Sequence, residues 1–147
     1  MSAGEHERFM RIALEEAQTA KEEGNSPVGS VIVRDGDVIA RGRNLVYTEH
    51  DITAHAETVA LRNGGKAAQT VDFTGCTLYT TFEPCPMCCA AIQMSGVSTV
   101  IMGGRLKVGE SNWPGYKIED CLKTIVGGGR IAVVTGILQE ECEAIRL

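Results

Sequence analysis

Two short segments of the chain carry side chains of the types that bind metal ions. H-A-E spans residues 55–57, and P-C-P-M-C spans residues 84–88. An imidazole and a Cys-x-x-Cys pair together suit zinc, and three protein ligands leave the fourth tetrahedral position for water, as in catalytic zinc sites. The spacing therefore predicts one zinc ion per subunit, bound by His55, Cys85 and Cys88 with water as the fourth ligand.

Glu57 lies two residues after His55 and is not needed as a ligand. Zinc can lower the pKa of a bound water to about 7, and a carboxylate beside that water can move protons during a reaction. H-x-E followed by P-C-x-x-C is the pattern of zinc deaminases. We therefore predict a zinc-dependent hydrolase that removes an amino group, with Glu57 as its catalytic acid and base. A non-catalytic zinc module is the weaker interpretation, because structural zinc does not require Glu57.

The chain has six cysteines and an acidic, polar N-terminal segment, MSAGEHERFM. This segment lacks the pattern of a signal peptide, and no stretch reaches the length of a transmembrane helix. We expect a cytoplasmic protein with no membrane contact and with reduced cysteines. Cys89 is predicted to pack rather than ligate, since adjacent helical residues point about 100° apart. Cys121 and Cys142 fall on apolar helical faces and are predicted to fill the core.

The elements that must position these residues follow from hydrophobic periodicity, turn residues and helix caps. Pro86 favours a helix start, and Asp35-Gly36 is a strong hairpin signal. The first predicted elements are a helix over residues 5–23, a hairpin over 28–42 and a polar loop over 44–53. A helix from Ala54 to Arg62 follows, capped by Thr53 and ended by Asn63-Gly64-Gly65. The second half of the chain is predicted to form the strand CTLYTT, the helix PMCCAAIQM, the strand VSTVIMG, a long loop over 104–116, a helix with Ile118, Leu122, Ile125 and Val126 on one face, the strand RIAVVTG and a short C-terminal helix.

Helices and strands alternate after the hairpin, which favours an α/β fold. In the helix that Pro86 opens, Met87, Ala90, Ala91 and Met94 recur at the spacing of a core-facing stripe. A helix between the last two strands would allow them to run parallel. We predict a single zinc-dependent deaminase domain over residues 1–147, built as a three-layer α/β/α sandwich with a mixed five-stranded sheet.

Several segments together resemble the cytidine deaminase-like superfamily, in its branch of cytosine, guanine and tRNA adenosine deaminases. These segments are NSPVGSVIV, GRN, TAHAETVAL and LYTTFEPCPMCCAAI, and VVTGILQEECEAI is also similar to tRNA adenosine deaminases. The resemblance covers almost the whole chain and implies the three-layer fold, the zinc site and a homodimer built from helices beside the active site. It places His55, Cys85 and Cys88 on the zinc ligands, Glu57 on the proton shuttle and Asn44 on a residue that hydrogen-bonds the base.

Other candidate substrate contacts are weaker. The amide of Asn44 can bind the N–C=O edge of a base, although a turn residue is the alternative interpretation. Trp113 lies in the segment N-W-P-G-Y, where free-base cytosine deaminases resemble one another in carrying an aromatic clamp. It could stack on a flat base, or it could pack a loop onto the sheet or across a dimer contact. Glu83, Asp51 and Asp120 could contact a substrate amine, but most exposed acids are only solvated.

Two substrate classes remain open. The first is a free nucleobase, namely cytosine, isocytosine or a related aminopyrimidine, with guanine as a further possibility. The second is adenosine in a tRNA anticodon loop, which the motifs EPCPMC and GILQEEC favour. The chain has 14 Lys and Arg against 19 Asp and Glu, for a formal net charge of −5, and it ends at Leu147 without a basic terminal helix. Because phosphate contacts normally supply much of the affinity for RNA, we predict a free base as substrate and do not expect nucleic acid as a partner.

Overall fold

The computed structural model describes residues 2–105, 113–125 and 128–147. These ranges contain six helices and five strands, and a 3₁₀ turn over Gly128–Arg130 precedes the last strand. The elements are α1 (Ala3–Glu22), β1 (Gly29–Arg34), β2 (Asp37–Arg43), α2 (Val46–Glu49), α3 (Ala56–Ala68), β3 (Thr77–Phe82), α4 (Pro86–Ser95), β4 (Thr99–Gly104), α5 (Ile118–Thr124), β5 (Ala132–Val134) and α6 (Gln139–Ala144).

The strands form one mixed sheet in the order β2-β1-β3-β4-β5. β1 pairs antiparallel with β2 and β3, whereas β3, β4 and β5 run parallel. Helices connect the parallel strands, as parallel pairing requires. The predicted α/β fold with a mixed five-stranded sheet is confirmed, as is the parallel pairing of the last two strands.

Helices cover both faces of the sheet. α1 and α6 pack on one face, and α3, α4 and α5 share a second core cluster on the other. Alternate residues of β1 supply the two clusters: Val31 and Val33 pack with α1, while Ile32 packs with α3 and α4. This period of two is the usual consequence of strand geometry. The polar side chains of the site lie on the face of the sheet that α3, α4 and α5 cover.

The hairpin and the first helix are as predicted. Asp35 and Gly36 both have positive φ, 51° and 81°, between β1 and β2. A two-residue turn with both central residues in this conformation is type I′, which matches the twist of the flanking strands. α1 buries an apolar stripe against the sheet, formed by Phe9, Met10, Ala13, Ala17 and Ala20.

The prediction that Asn63-Gly64-Gly65 ends the helix from Ala54 to Arg62 is wrong. α3 continues to Ala68 and ends where Gln69 adopts the left-handed conformation, with φ 53°. A Cβ at Gly64 would lie 3.0 Å from the Phe73 ring. Glycine at this position therefore serves close packing rather than helix termination, and tertiary contacts outweigh its low helix propensity.

The start of α3 also differs from the prediction. His55, not Thr53, is the N-cap residue. The hydroxyl of Thr53 donates to Asp51 Oδ1 at 2.6 Å instead. Within the predicted polar loop, α2 forms one additional helical turn.

The predicted core face of α4 is wrong as well. Cys88, Cys89, Ile92 and Ser95 are buried, while Met94 is 81% exposed. Cys88 must face His55, and this requirement rotates the helix so that the methionine stripe turns outward. Cys89 packs in the core as predicted, and Cys142 on α6 is also buried.

The remaining predictions concern the second half of the chain. Ile118 and Leu122 of α5 are buried, as the apolar spacing indicates, and Ile125 packs against the same core cluster. Val126 and most of the predicted loop over residues 104–116 lie outside the described residues. In the part of the chain that the structure describes, no helix is both long and apolar enough to span a membrane.

A glycine in β2 brings that strand close to the helix that carries the site. A Cβ at Gly42 would overlap the backbone nitrogen of Ala60 and the backbone oxygen of Ala56. We expect Gly42→Ala to lower the free energy of unfolding by about 1–3 kcal/mol, because the added methyl group forces β2 and α3 apart. Chemical denaturation measures the change. Gly129→Ala is the control, since a Cβ there meets nothing within 4 Å, and equal stability of the two variants would contradict the prediction.

Candidate metal centre and active-site pocket

The starts of two helices bring the predicted ligands together. His55 is the N-cap residue of α3 and Cys85 is the N-cap residue of α4, which has proline at its first position. His55 Nδ1 lies 3.5 Å from the sulfur of Cys85 and 3.5 Å from that of Cys88. Zinc–ligand distances and tetrahedral angles imply a nitrogen–sulfur separation of about 3.6 Å. The geometry of these side chains therefore fits a tetrahedral zinc ion.

Within the described ranges, His55, Cys85 and Cys88 are the one group of His, Cys, Asp or Glu side chains placed to hold a metal ion. Their donor atoms lie within 4.8 Å of one another. A zinc-binding deaminase with one ion per subunit, as the sequence predicts, agrees with this donor set.

Electrostatics at the metal centre favour a thiolate. The hydrogen bond from Cys88, together with that from His55, lowers the pKa of Cys85 to about 4 against the opposing effect of burial. The hydrogen bond to Cys85 and burial raise the pKa of Cys88. The hydrogen bond to Cys85 also raises the pKa of His55. Negative charge thus concentrates on Cys85, at a helix start whose dipole stabilises it, and a divalent cation is the natural counter-ion.

Glu57 lies beside this centre, buried in the first turn of α3. Its Oε1 accepts a hydrogen bond from Thr80 Oγ1 at 2.7 Å, and its Oε2 accepts one from Cys88 Sγ at 3.4 Å. Burial raises the pKa of Glu57. A buried carboxylate with a raised pKa beside the metal ligands is suited to accept and return a proton.

Thr80 is a site residue that the sequence analysis missed. It lies in β3, where its hydroxyl also accepts a hydrogen bond from Ser30 Oγ of β1 at 3.0 Å. A chain of hydrogen bonds therefore runs from Ser30 through Thr80 to Glu57. Polar residues at buried positions of otherwise apolar strands were the signal that could have identified both, since buried hydroxyls need partners.

A pocket of about 380 Å³ opens at the metal centre. Its size is within the range of small-molecule sites. Eight of its lining residues lie outside the predicted set, among them Tyr47, Ile52, Phe82 and Arg146. The predicted residues that line it are Asn44, His55, Glu57, Glu83, Cys85 and Trp113.

Phe82 and Arg146 form one wall of the pocket. The Arg146 guanidinium carbon lies 3.6 Å from the centroid of the Phe82 ring, in a cation–π arrangement. Neither residue belongs to a motif with recognised chemistry. The two residues meet because folding brings the C-terminal segment to the end of β3.

Asn44 and Trp113 both contribute to the pocket wall. Asn44 is buried, and its Oδ1 accepts a hydrogen bond from the backbone nitrogen of Val46 at 3.1 Å. Trp113 is 49% exposed, so a large part of its ring is accessible. Asn112, its neighbour in the predicted clamp, lies outside the described residues. Contact of either side chain with a substrate stays a prediction.

The three acids proposed as amine contacts differ in position. Glu83 lines the pocket, but its carboxylate accepts hydrogen bonds from Arg105 Nη2 at 3.0 Å and from the Ile118 backbone nitrogen at 2.9 Å. Asp51 Oδ1 accepts a hydrogen bond from the Thr53 backbone nitrogen, and Asp51 is not among the residues that line this pocket. Asp120 is an exposed residue of α5.

Comparison with curated proteins shows similarity to tRNA deaminases. The tRNA-specific adenosine deaminase of Bacillus subtilis is 38% identical over 136 residues, which cover 92% of this chain and 83% of that protein. The chloroplastic tRNA(adenine(34)) deaminase of Arabidopsis thaliana is 48% identical over 102 residues. This match covers 69% of this chain, which spans only 8% of the length of the chloroplast protein.

Solved structures of two kinds share the fold. A structure from work on tRNA deaminases that edit adenosine to inosine at the wobble position superposes with a TM-score of 0.82 and 33% identity, covering 94% of this chain and 98% of that one. Guanine deaminase from Nitrosomonas europaea gives a TM-score of 0.81 with 27% identity, covering 95% of this chain and 82% of the other.

These relatives contradict two predictions. The preference for a free nucleobase as substrate is wrong, because the curated relatives at 37–48% identity are tRNA adenosine deaminases. The expectation that nucleic acid is not a partner fails for the same reason. Net charge is a poor guide to the substrate because it sums over the whole surface, while recognition depends on the groups around one pocket.

The family itself is established by the zinc-binding segment. The family profile described as the cytidine and deoxycytidylate deaminase zinc-binding region matches residues 3–104, which include both predicted metal-binding segments. The five-stranded sheet and the His/Cys/Cys group agree with this match. The chain belongs to the zinc-binding cytidine and deoxycytidylate deaminase family, and it is a zinc-dependent deaminase.

Proposed function

We propose that this protein deaminates adenosine to inosine in the anticodon loop of a tRNA, at the wobble position. The observation that carries the proposal is the similarity to the Bacillus subtilis tRNA-specific adenosine deaminase over 92% of this chain and 83% of that protein. The superposition on a tRNA deaminase structure, with a TM-score of 0.82, supports it over nearly the full length of both chains.

The acidic net charge is compatible with an RNA substrate. Six of the 19 acids form ion pairs with arginines in the described ranges, so their charge is balanced locally. Single-stranded RNA loops are recognised largely through bases that unstack onto aromatic side chains. Tyr47 and Trp113 present exposed aromatic rings at the pocket, where Arg146 supplies a cation. The acids that form ion pairs with arginines are Glu15, Glu16, Glu23, Asp51, Glu83 and Glu119.

In this proposal His55, Cys85 and Cys88 hold the zinc ion. When bound, zinc lowers the pKa of a coordinated water to about 7 and so supplies a nucleophile at neutral pH. Glu57 accepts a proton from water as the water oxygen bonds to C6 of the adenine ring, and delivers that proton to N1. It then takes the second proton, from the new C6 hydroxyl, and passes it to the amino group, which leaves as ammonia while the C6 carbonyl forms. The oxygen assigned this role is Oε2, which lies on the side of the metal ligand Cys88, because Oε1 is held by Thr80. The net reaction converts adenosine and water to inosine and ammonia.

Asn44 would orient the base. Because Asn44 Oδ1 already accepts from the Val46 backbone nitrogen, the amide NH₂ is directed to the other side and can donate. Adenine presents ring nitrogens that accept hydrogen bonds beside its amino group. A donating amide therefore matches adenine, and we assign Asn44 the role of hydrogen-bonding a ring nitrogen of the flipped base.

Assembly, domain extent and location stay predictions. A homodimer through the helices beside the active site agrees with an apolar groove between α3 and α4, which the exposed side chains Val71 and Met94 border. We also propose that residues 1–147 form a single deaminase domain, and that the protein acts in the cytoplasm, where its thiols would stay reduced.

The test uses zinc-loaded protein and two tRNA transcripts that differ at the wobble position, one with adenosine and one with guanosine. Free adenine, guanine, cytosine and adenosine are assayed in parallel for ammonia release. We expect inosine only in the adenosine transcript, measured by nuclease digestion and mass spectrometry of the nucleosides. Rapid release of ammonia from a free base, with no inosine in the transcript, would overturn the proposal.

A further inference from the structure

We propose that Tyr116 and Glu83 are positioning residues that fix Trp113, on the wall of the pocket, to the segment that carries Cys85. The proposal rests on the proposed function only for the identity of the substrate. Its physical basis is a set of hydrogen bonds that join residues before Cys85 to residues after Trp113.

The first part is a tight turn over residues 113–116. The backbone nitrogen of Tyr116 donates to the carbonyl of Trp113 at 3.0 Å, and Gly115 has φ 72°. A type II turn requires a positive φ at its third position, where glycine is favoured, and proline is common at its second. Pro114 and Gly115 fit these positions. This turn leaves little freedom between the Trp113 and Tyr116 backbones, so fixing one residue fixes the other.

The second part is the anchor of that turn. The hydroxyl of Tyr116 donates to the carbonyl oxygen of Pro84 at 2.6 Å. Pro84 directly precedes Cys85. A single short hydrogen bond therefore connects the turn that carries Trp113 to the residue next to a metal ligand.

The third part is the carboxylate of Glu83, whose side chain is only 1% exposed. It accepts hydrogen bonds from Arg105 Nη2 at 3.0 Å and from the backbone nitrogen of Ile118 at 2.9 Å. Arg105 Nη2 also donates to Glu119 at 2.8 Å. Glu83, which directly follows β3, thus holds the first residue of α5. Arg105, which directly follows β4, connects Glu83 to Glu119 of the same helix. Charge-assisted bonds of this kind are about twice as strong as neutral ones.

These bonds favour a positioning role for Glu83 over direct contact with a substrate amine. They leave His55 and Glu57 untouched, because both belong to the start of α3. Loosening them should displace Trp113 from the base without removing the proton-transfer group. The expected kinetic effect is therefore on KM more than on kcat, the pattern of a lost binding contact.

Trp113 is the single tryptophan of the chain, so its fluorescence reports on this wall alone. Tyr116→Phe removes one hydroxyl, and Tyr79→Phe is a matched control that loses a hydrogen bond to His6 Nδ1 on the α1 face of the sheet. In the zinc-loaded protein without substrate, we expect acrylamide to quench Trp113 more strongly in Tyr116→Phe than in wild type, and Tyr79→Phe to match wild type. On the adenosine transcript, KM should rise about tenfold in Tyr116→Phe with kcat within about twofold.

Wild-type quenching and wild-type KM in Tyr116→Phe would overturn the proposal, as would a loss of zinc that explains the kinetic change. Glu83→Gln is a second variant, expected to show the same increase in quenching, because glutamine presents an amide to Arg105 in place of an oxygen. Fluorescence requires no substrate. Increased quenching in a protein whose wild type leaves tRNA unmodified would therefore support the positioning role and refute only the proposed substrate.

Discussion

Glu57→Gln should lower kcat on the adenosine transcript by about 10²–10⁴-fold while zinc stays bound. Glutamine has nearly the same shape and still accepts the hydrogen bond that Thr80 donates to Glu57. It cannot accept and return a proton, so the delivery of protons to N1 and to the leaving amine is lost. Single-turnover kinetics with excess enzyme, together with zinc analysis by mass spectrometry, measure both quantities.

The control for this variant is Glu7→Gln on the exposed side of α1. It makes the same chemical change far from the pocket and should keep wild-type turnover. A Glu57→Gln protein that retains more than about a tenth of wild-type kcat would contradict the assigned proton transfer, since the usual contribution of a general acid–base group is larger.

Cys88→Ala should abolish stoichiometric zinc binding, whereas Cys89→Ala should leave it intact. Both residues are completely buried neighbours in α4. The Cys88 sulfur lies 3.5 Å from His55 Nδ1, while Cys89 packs in the core cluster with Ile92. Removing one of three ligands leaves an imidazole and one thiolate, which bind zinc too weakly to survive dialysis against a mild chelator.

Zinc content after dialysis and thermal unfolding distinguish the two variants. Cys89→Ala should cost about 1 kcal/mol of stability, in the range of a small core truncation, without loss of metal. Equal zinc content in both proteins would remove Cys88 from the ligand set. Zinc loss in both would mean that α4 as a whole, rather than one thiolate, determines the metal content.

Sequence patterns predicted the residues of the metal centre well, because few side chains suit zinc and their spacing within a segment is local. The structure brings His55, Cys85 and Cys88 together as the spacing indicates. Thr80 and Arg146 escaped prediction because their roles depend on strand pairing and on the return of the C-terminal segment to the sheet. The Arg146 contact has no local signal in the sequence, and the signal at Thr80 is only a polar residue within an otherwise apolar strand.

The fold class was predictable from alternation, whereas helix faces and ends were less so. The periodicity of α4 indicated that Met94 faces the core, but the geometry of the metal centre requires Cys88 to face inward instead. Gly64 was predicted to end a helix, but its close approach to Phe73 shows that glycine is present there for packing. The substrate class was mistaken because total charge carries no information about where cations and aromatic rings lie.

The convergence of two helix starts on one metal centre has a consequence for the amount of protein in a cell. His55 and Cys85 are far apart in an unfolded chain, so zinc binds the native state far better than the denatured one, and each tenfold excess of free metal over its dissociation constant adds about 1.4 kcal/mol to stability. In cells starved of zinc, the folded population would shrink together with activity. Proteases that degrade unfolded chains would then couple the abundance of this deaminase to metal supply.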